Sequence, residues 1–134
     1  MADFYVFYKK GSVPPVEELN RAMSSRGIVF EIQGETPIHE RSALDLQVDG
    51  AAVPVSVSAV DASAPDWNEL RAQAQELEDG AARLSVLKNC DVRITLSAEG
   101  DAGSWARDVA RNVSLLACGA FENPDNGKFI NFGR

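Results

Sequence analysis

Histidine occurs once in this chain, at position 39, and cysteine twice, at 90 and 118. A transition-metal site built on so few nitrogen and sulfur donors would need carboxylates to complete it, and none stands at ligand spacing from them. The cysteines lie far apart and in no CxxC arrangement, which fits two small buried thiols in a reducing compartment rather than a disulfide framework. No serine sits in a GxSxG context, so the sequence offers no nucleophile elbow. "GDAGS" at 100–104 precedes a helix start but has neither the GxxxxGK[ST] spacing nor a lysine, and Asp101 would repel an anion. No apolar run reaches the length of a membrane span, and the "MADFYVFYKK" start lacks the basic flank and long apolar stretch of an export signal. A cytoplasmic chain without cofactor is expected.

Basic charge is also scarce. Thirteen Lys and Arg face twenty Asp and Glu, a net charge of −7. The excess is concentrated in residues 41–80, where eight acids meet two bases. Such a surface repels phosphate backbones and anionic lipid, so neither nucleic acid nor a membrane is an expected partner. A basic protein is. The acids expected to meet it are Asp45 and Asp49 on a hairpin, Asp61 and Asp66 around a helix entry, and Glu69 and Glu76 on that helix's wet face. Carboxylate pairs such as Asp45 with Asp49, or Glu35 with Glu40, are explained by solvated surface.

What is present reads as one domain over residues 1–134, since 134 residues suffice for a single core. "DFYVFYK" at 3–9 is aromatic and β-branched, the composition of a buried strand. Ser12 and Pro14-Pro15 open a helix that Gly27 should stop. Strands follow around Ile28–Ile32 and Leu44–Val48. Asp49-Gly50 then marks a hairpin turn to a strand over Val53–Val57, which Pro54 confines to an edge or a bulge. Trp67, Leu70, Ala74, Leu77, Ala81 and Leu84 recur at steps of three and four. They predict one helix reaching about Lys88, opened by Ser63 or Asp66 with Glu69 in a capping box, and weakened by Gly80. A strand at Val92–Leu96, a helix over 104–118 and a terminal hairpin across "NPDNG" complete the order β-α-β-β-β-α-β-α-β-β. This predicts an α+β fold, a mostly antiparallel or mixed sheet with helices on one face. A ferredoxin-like core follows if the two β-α-β units pair. Trp67 and Trp105 border apolar stripes and are expected to close the core.

The C-terminal pattern, a hydrophobic helix followed by "CGAFENPDNGKFI", resembles the ending of small bacterial immunity proteins of polymorphic and type VI secretion toxin systems. The resemblance covers residues 115–134 and carries over no functional residue. It implies a non-catalytic cytosolic inhibitor that binds one cognate toxin. A small adaptor or homodimer, assembled through the aromatic first strand or the Pro-bearing edge, is the alternative. A ligand-binding or enzymatic domain, with His39 and a cysteine in one polar pocket, is the third reading.

Overall fold

A computed structural model describes residues 1–24 and 27–133. Its centre is strand β1 (Ala2–Tyr8), paired antiparallel to β6 (Val92–Ala98) on one edge and to β7 (Ala120–Asn123) on the other. Adding β5 (Ser56–Asp61) beside β6 and β8 (Lys128–Asn131) beside β7 gives a five-stranded antiparallel sheet in the order β5-β6-β1-β7-β8. A central strand covered on both faces can be apolar at successive positions. Phe4, Val6 and Tyr8 point to one face, Phe7 to the other, and all four are buried. With both edges occupied, β1 has no free edge for pairing with a second copy.

The chain is α+β, as its sequence predicts, but its helices lie on both faces of the sheet rather than one. On the face of Phe4 and Val6 lie α1 (Val16–Met23) and α4 (Ala102–Leu116), in one cluster with Leu19, Ala106, Val109 and Val113. On the face of Phe7 lie α2 (Pro65–Gln75) and α3 (Gly80–Asn89), in a second cluster with Trp67, Ala74, Val86 and Leu87. The single long helix expected over this stretch is therefore two. The apolar stripe continues across the break, which is why periodicity alone does not reveal it. The capping box does not form either: Ala64 is the N-cap residue, Pro65 opens the helix, and no side chain caps it.

Three short strands make a separate sheet, β2 (Phe30–Ile32), β3 (Leu46–Val48) and β4 (Ala51–Val53), in that order. Because β2 leaves the main sheet, the first β-α-β unit does not pair with a second, and the ferredoxin-like core is not formed. Side chains of α1 and the residue after it occupy the open edge of β2. Asn20 accepts from Ile32 N (2.8 Å) and donates to Ile32 O (3.2 Å), while Ser24 Oγ bonds both Phe30 N and Phe30 O. Helix α1 ends at Met23, short of Gly27, and residues 25 and 26 lie outside the described ones. Ile28 and Val29 precede the strand and are exposed.

Both turn motifs behave as their composition dictates. Asp49 and Gly50 take φ of 51° and 83° between β3 and β4, the positive pair that such a hairpin needs. Asn123 and Asn126 accept from the backbone amides of Asp125 and Lys128 in the last hairpin. Pro54 and Val55 separate β4 from β5, so the chain changes sheets at the residue that cannot donate to a ladder. Trp67 is buried in the core, and half-buried Trp105 packs on Phe30 with ring centroids 6.0 Å apart.

Candidate functional site

The break between α2 and α3 opens a cleft of about 140 Å³ over the β7–β8 hairpin. Its walls are apolar: Leu70 and Ala74 from α2, Leu77 from the connecting turn, Val86 and Leu87 from α3, and Phe129 from β8. Four polar side chains, Gln73, Arg83, Arg93 and Glu122, complete the lining.

Arg83 organises one side. Its Nε donates to Asp79 Oδ1 at 2.8 Å, its Nη1 donates to Glu122, and its guanidinium lies 4.5 Å from the Phe129 ring centroid. Burial opposes the Arg83 charge, but the bonds to Glu122 and Asp79 outweigh it and raise its pKa above the ordinary value. The side chains of Arg83 and Glu122 are each only 14% exposed, so this pair is shielded from salt where surface pairs are not. Arg93 instead rests on the Tyr5 ring, 4.5 Å from its centroid. Its Nε is buried without an acceptor among the described residues.

The six acids expected to form one surface fall on two sides of the main sheet. Asp45 and Asp49 belong to the small sheet, whose apolar side chains join the α1–α4 cluster. Asp66 and Glu69 lie on α2 and Glu76 caps its C-terminus, all against the opposite cluster. Two of the six are engaged within the chain. Asp49 Oδ1 accepts from Val29 N at 2.8 Å, fixing the hairpin to the start of β2. Asp61 pairs with Lys10 and accepts from both Ser63 N and Ser63 Oγ, closing the turn into α2. Asp45 is exposed with φ of 53°, just ahead of β3. Asp66, Glu69 and Glu76 are exposed and form no ion pair among the described residues. They stand at i, i+3 and i+10, on one side of the helix. Gln73, at i+7, belongs to the same stripe and lines the cleft.

The reactive groups sit elsewhere. His39, expected as an exposed loop residue, has a side chain only 10% exposed and bonds Tyr8 Oη through Nδ1 at 3.0 Å. Burial, and after it the Asp91 carboxylate, pushes the Tyr8 phenol well up, so it keeps its proton. His39 Nε2 faces Glu40, 4.0 Å from Oε2. Of the two free cysteines, both expected to be buried, Cys118 is exposed at the end of α4 with φ of 54° and Cys90 is half-buried. Burial, with Asp91, pushes the Cys90 thiol up to about 11, so it is not a thiolate near neutrality. Among the described residues, no group of three or more His, Cys, Asp or Glu is placed to hold a metal ion, and no helix is long and apolar enough to cross a membrane.

The half-buried histidine gives a pH prediction. Burial lowers the His39 pKa and Lys10 adds to that, against the opposing carboxylates Glu40 and Asp91. The unfolded chain therefore binds a proton at about pH 6.5 that the native state still refuses. This contribution to stability is whole above that pH and is lost as pH falls from there through the folded value. Urea midpoints should drop more for the wild type than for His39→Gln between about pH 7.5 and about pH 5.5. Equal drops would show that the imidazole titrates as it does in the unfolded chain.

Nothing in Arg83, Glu122 or Phe129 announces the cleft in advance. They come from separate elements, and only the pairing of β7 with β1 and of α3 with the sheet brings them together. Searches for similar proteins found no family model, curated protein or solved structure that matches this chain.

Proposed function

We propose that this chain is a non-catalytic, cytoplasmic protein-binding inhibitor of the immunity type. It neutralises a cognate bacterial toxin by occupying a basic surface of it. The observation that carries this reading is the stripe of Asp66, Glu69 and Glu76 along one side of α2. The three carboxylates are exposed and none is spent on an internal ion pair among the described residues. Unpaired acids aligned on one helix repel each other weakly in the free chain and are relieved by a cationic partner. The net charge of −7 adds long-range attraction, which speeds encounter with a basic protein. Asp45 and Asp49 lie behind the main sheet and Asp61 is held by Lys10, so these three contribute to the general field rather than to the contact.

Expression of the chain should protect a bacterial host from a basic toxin encoded beside it. Reversing Glu69→Lys and Glu76→Lys together should weaken that complex by at least about tenfold, mostly through slower association, and flatten its salt dependence. Surface plasmon resonance at two ionic strengths reads both quantities. An unchanged rate and salt slope would remove the α2 face from the interface.

A further inference from the structure

Two arginines line the cleft between α2, α3 and the last hairpin, and they differ in what holds them. Arg83 is bound to two carboxylates, Asp79 and Glu122. Arg93, on β6 opposite Phe7, forms no ion pair among the described residues, and its Nε is buried without an acceptor. Its guanidinium carbon lies 4.5 Å from the Tyr5 ring centroid. That contact takes one flat side of the group, whereas the N–H donors lie in its plane, where a carboxylate would meet them. A buried donor without an acceptor is unfavourable, and an oxygen brought in by a ligand relieves it. Around Arg93 the walls are mainly apolar, with Leu70, Ala74, Leu77, Val86, Leu87 and Phe129 among them. The volume of about 140 Å³ is close to the ~150 Å³ that holds one benzene ring.

We infer that this cleft binds a small organic anion, a monocarboxylate carrying one aromatic ring or a branched aliphatic group of similar size. The apolar part lies against Leu70, Leu77 and Phe129, and the carboxylate accepts two parallel hydrogen bonds from the Arg93 guanidinium. The ion pairs already present set the sign of the ligand. Glu122, the one acid in the lining, is committed to Arg83, so a cation entering the cleft finds no unpaired carboxylate there, whereas an anion finds an unpaired guanidinium. The net charge of −7 opposes any anion, but at about 0.1 M salt exposed charges more than roughly 10 Å away are largely screened. Contact with a half-buried guanidinium is screened much less, and it decides. This inference does not rest on the proposed function, since toxin binding needs the exposed acids of α2 and the cleft site needs none of them.

The probes are benzoate, its neutral counterpart benzyl alcohol, the cation benzylamine, and acetate, which has the carboxylate without the ring. Methyl-resolved NMR titration of the full chain locates binding. Benzoate should shift the Leu70, Ala74, Leu77, Val86 and Leu87 methyl signals and saturate with a Kd on the order of 1 mM or below. Benzyl alcohol should bind at the same methyls at least about tenfold more weakly, because it lacks the charge-assisted hydrogen bonds. Benzylamine should be weaker still, and acetate should not saturate. Arg93→Gln should bring benzoate down to the affinity of benzyl alcohol while leaving benzyl alcohol itself unchanged, which shows that the cleft persists in the variant. Arg71→Gln removes the same charge from an exposed position on α2 outside the lining and should change neither ligand. Equal binding of benzoate and benzyl alcohol by the wild type, shifts confined to other methyls, or preference for benzylamine would each overturn the anion site, and none of these readings depends on a variant folding. An equal loss in Arg71→Gln would also overturn it, by assigning the preference to overall charge. Each of these results leaves the toxin-binding reading untouched, because no partner protein and no acid of α2 enters the test.

Discussion

Gly119→Ala is expected to destabilise the protein by roughly 3 kcal/mol or more, because an added Cβ meets backbone more closely there than at any other glycine of the chain. Gly119 joins the end of α4 to β7 and lies directly against β1. A Cβ built there comes within 2.0 Å of the Phe7 carbonyl oxygen and 3.0 Å of Tyr8 Cβ. Neither neighbour can yield cheaply. Phe7 sits in the central strand, opposite Arg93 on one side and Ala120 on the other, so moving its carbonyl disturbs two ladders. Gly119 is itself held at both ends, donating to Ser114 O and accepting from Phe132 N, each at 2.8 Å. Urea unfolding against Gly11→Ala makes the comparison. A Cβ at Gly11 meets nothing within 4 Å, and that change should stay within about 0.5 kcal/mol of wild type. Similar midpoints for the two variants would mean that α4 and β1 are not in the contact described.

Gly80→Ala tests the break that makes the cleft, and here two physical effects have opposite sign. If α2 and α3 were one helix, alanine in place of glycine would stabilise it by about 1 kcal/mol. In the broken arrangement a Cβ at position 80 falls 2.3 Å from the Ala74 carbonyl oxygen. That oxygen belongs to the last turn of α2, where it accepts from Leu77 N, so it is fixed by the helix's own closure. The steric effect wins, and a loss of about 2 kcal/mol is expected. Relief of the clash must move Ala74 or the start of α3, and with it Arg83 and the cleft wall. Thermal unfolding gives the sign directly. A raised midpoint would support a continuous helix and remove the cleft from the fold.

The same position shows why some of the fold is legible in the residues and some is not. Trp67, Leu70, Ala74, Leu77 and Leu84 keep helical spacing through the turn, and glycine is merely a weak helix former in that pattern. The decisive contact, position 80 against Ala74 O, depends on how two helices meet and leaves no trace in the periodicity. Likewise "DFYVFY" announces a buried strand, but whether its two faces meet helices or solvent depends on elements more than fifty residues away. The six acids were visible as composition; their separation by the main sheet was not. Half of the expected surface therefore survives as a candidate contact, on α2 alone. Arg83, Arg93, Glu122 and Phe129 carried no signal of their own, because a lone arginine or phenylalanine in an element reads as ordinary surface or core.

By itself the amino-acid order determined the features that depend on near neighbours. These are the positive-φ turn at Asp49-Gly50, the terminal hairpin around "NPDNG", the strict alternation of Val92–Ala98 and the α4 stripe, whereas the single strand expected over Val53–Val57 is split between two sheets at Pro54. Backbone sterics and side-chain period act over a few residues and need nothing else. The tertiary structure alone decided that β2 leaves the main sheet, that helices lie on both of its faces, that half-buried His39 bonds Tyr8, and that a cleft opens beside the acidic side of α2. Those outcomes follow from which surfaces exclude water together, and that is settled by the competition among all the packed elements at once.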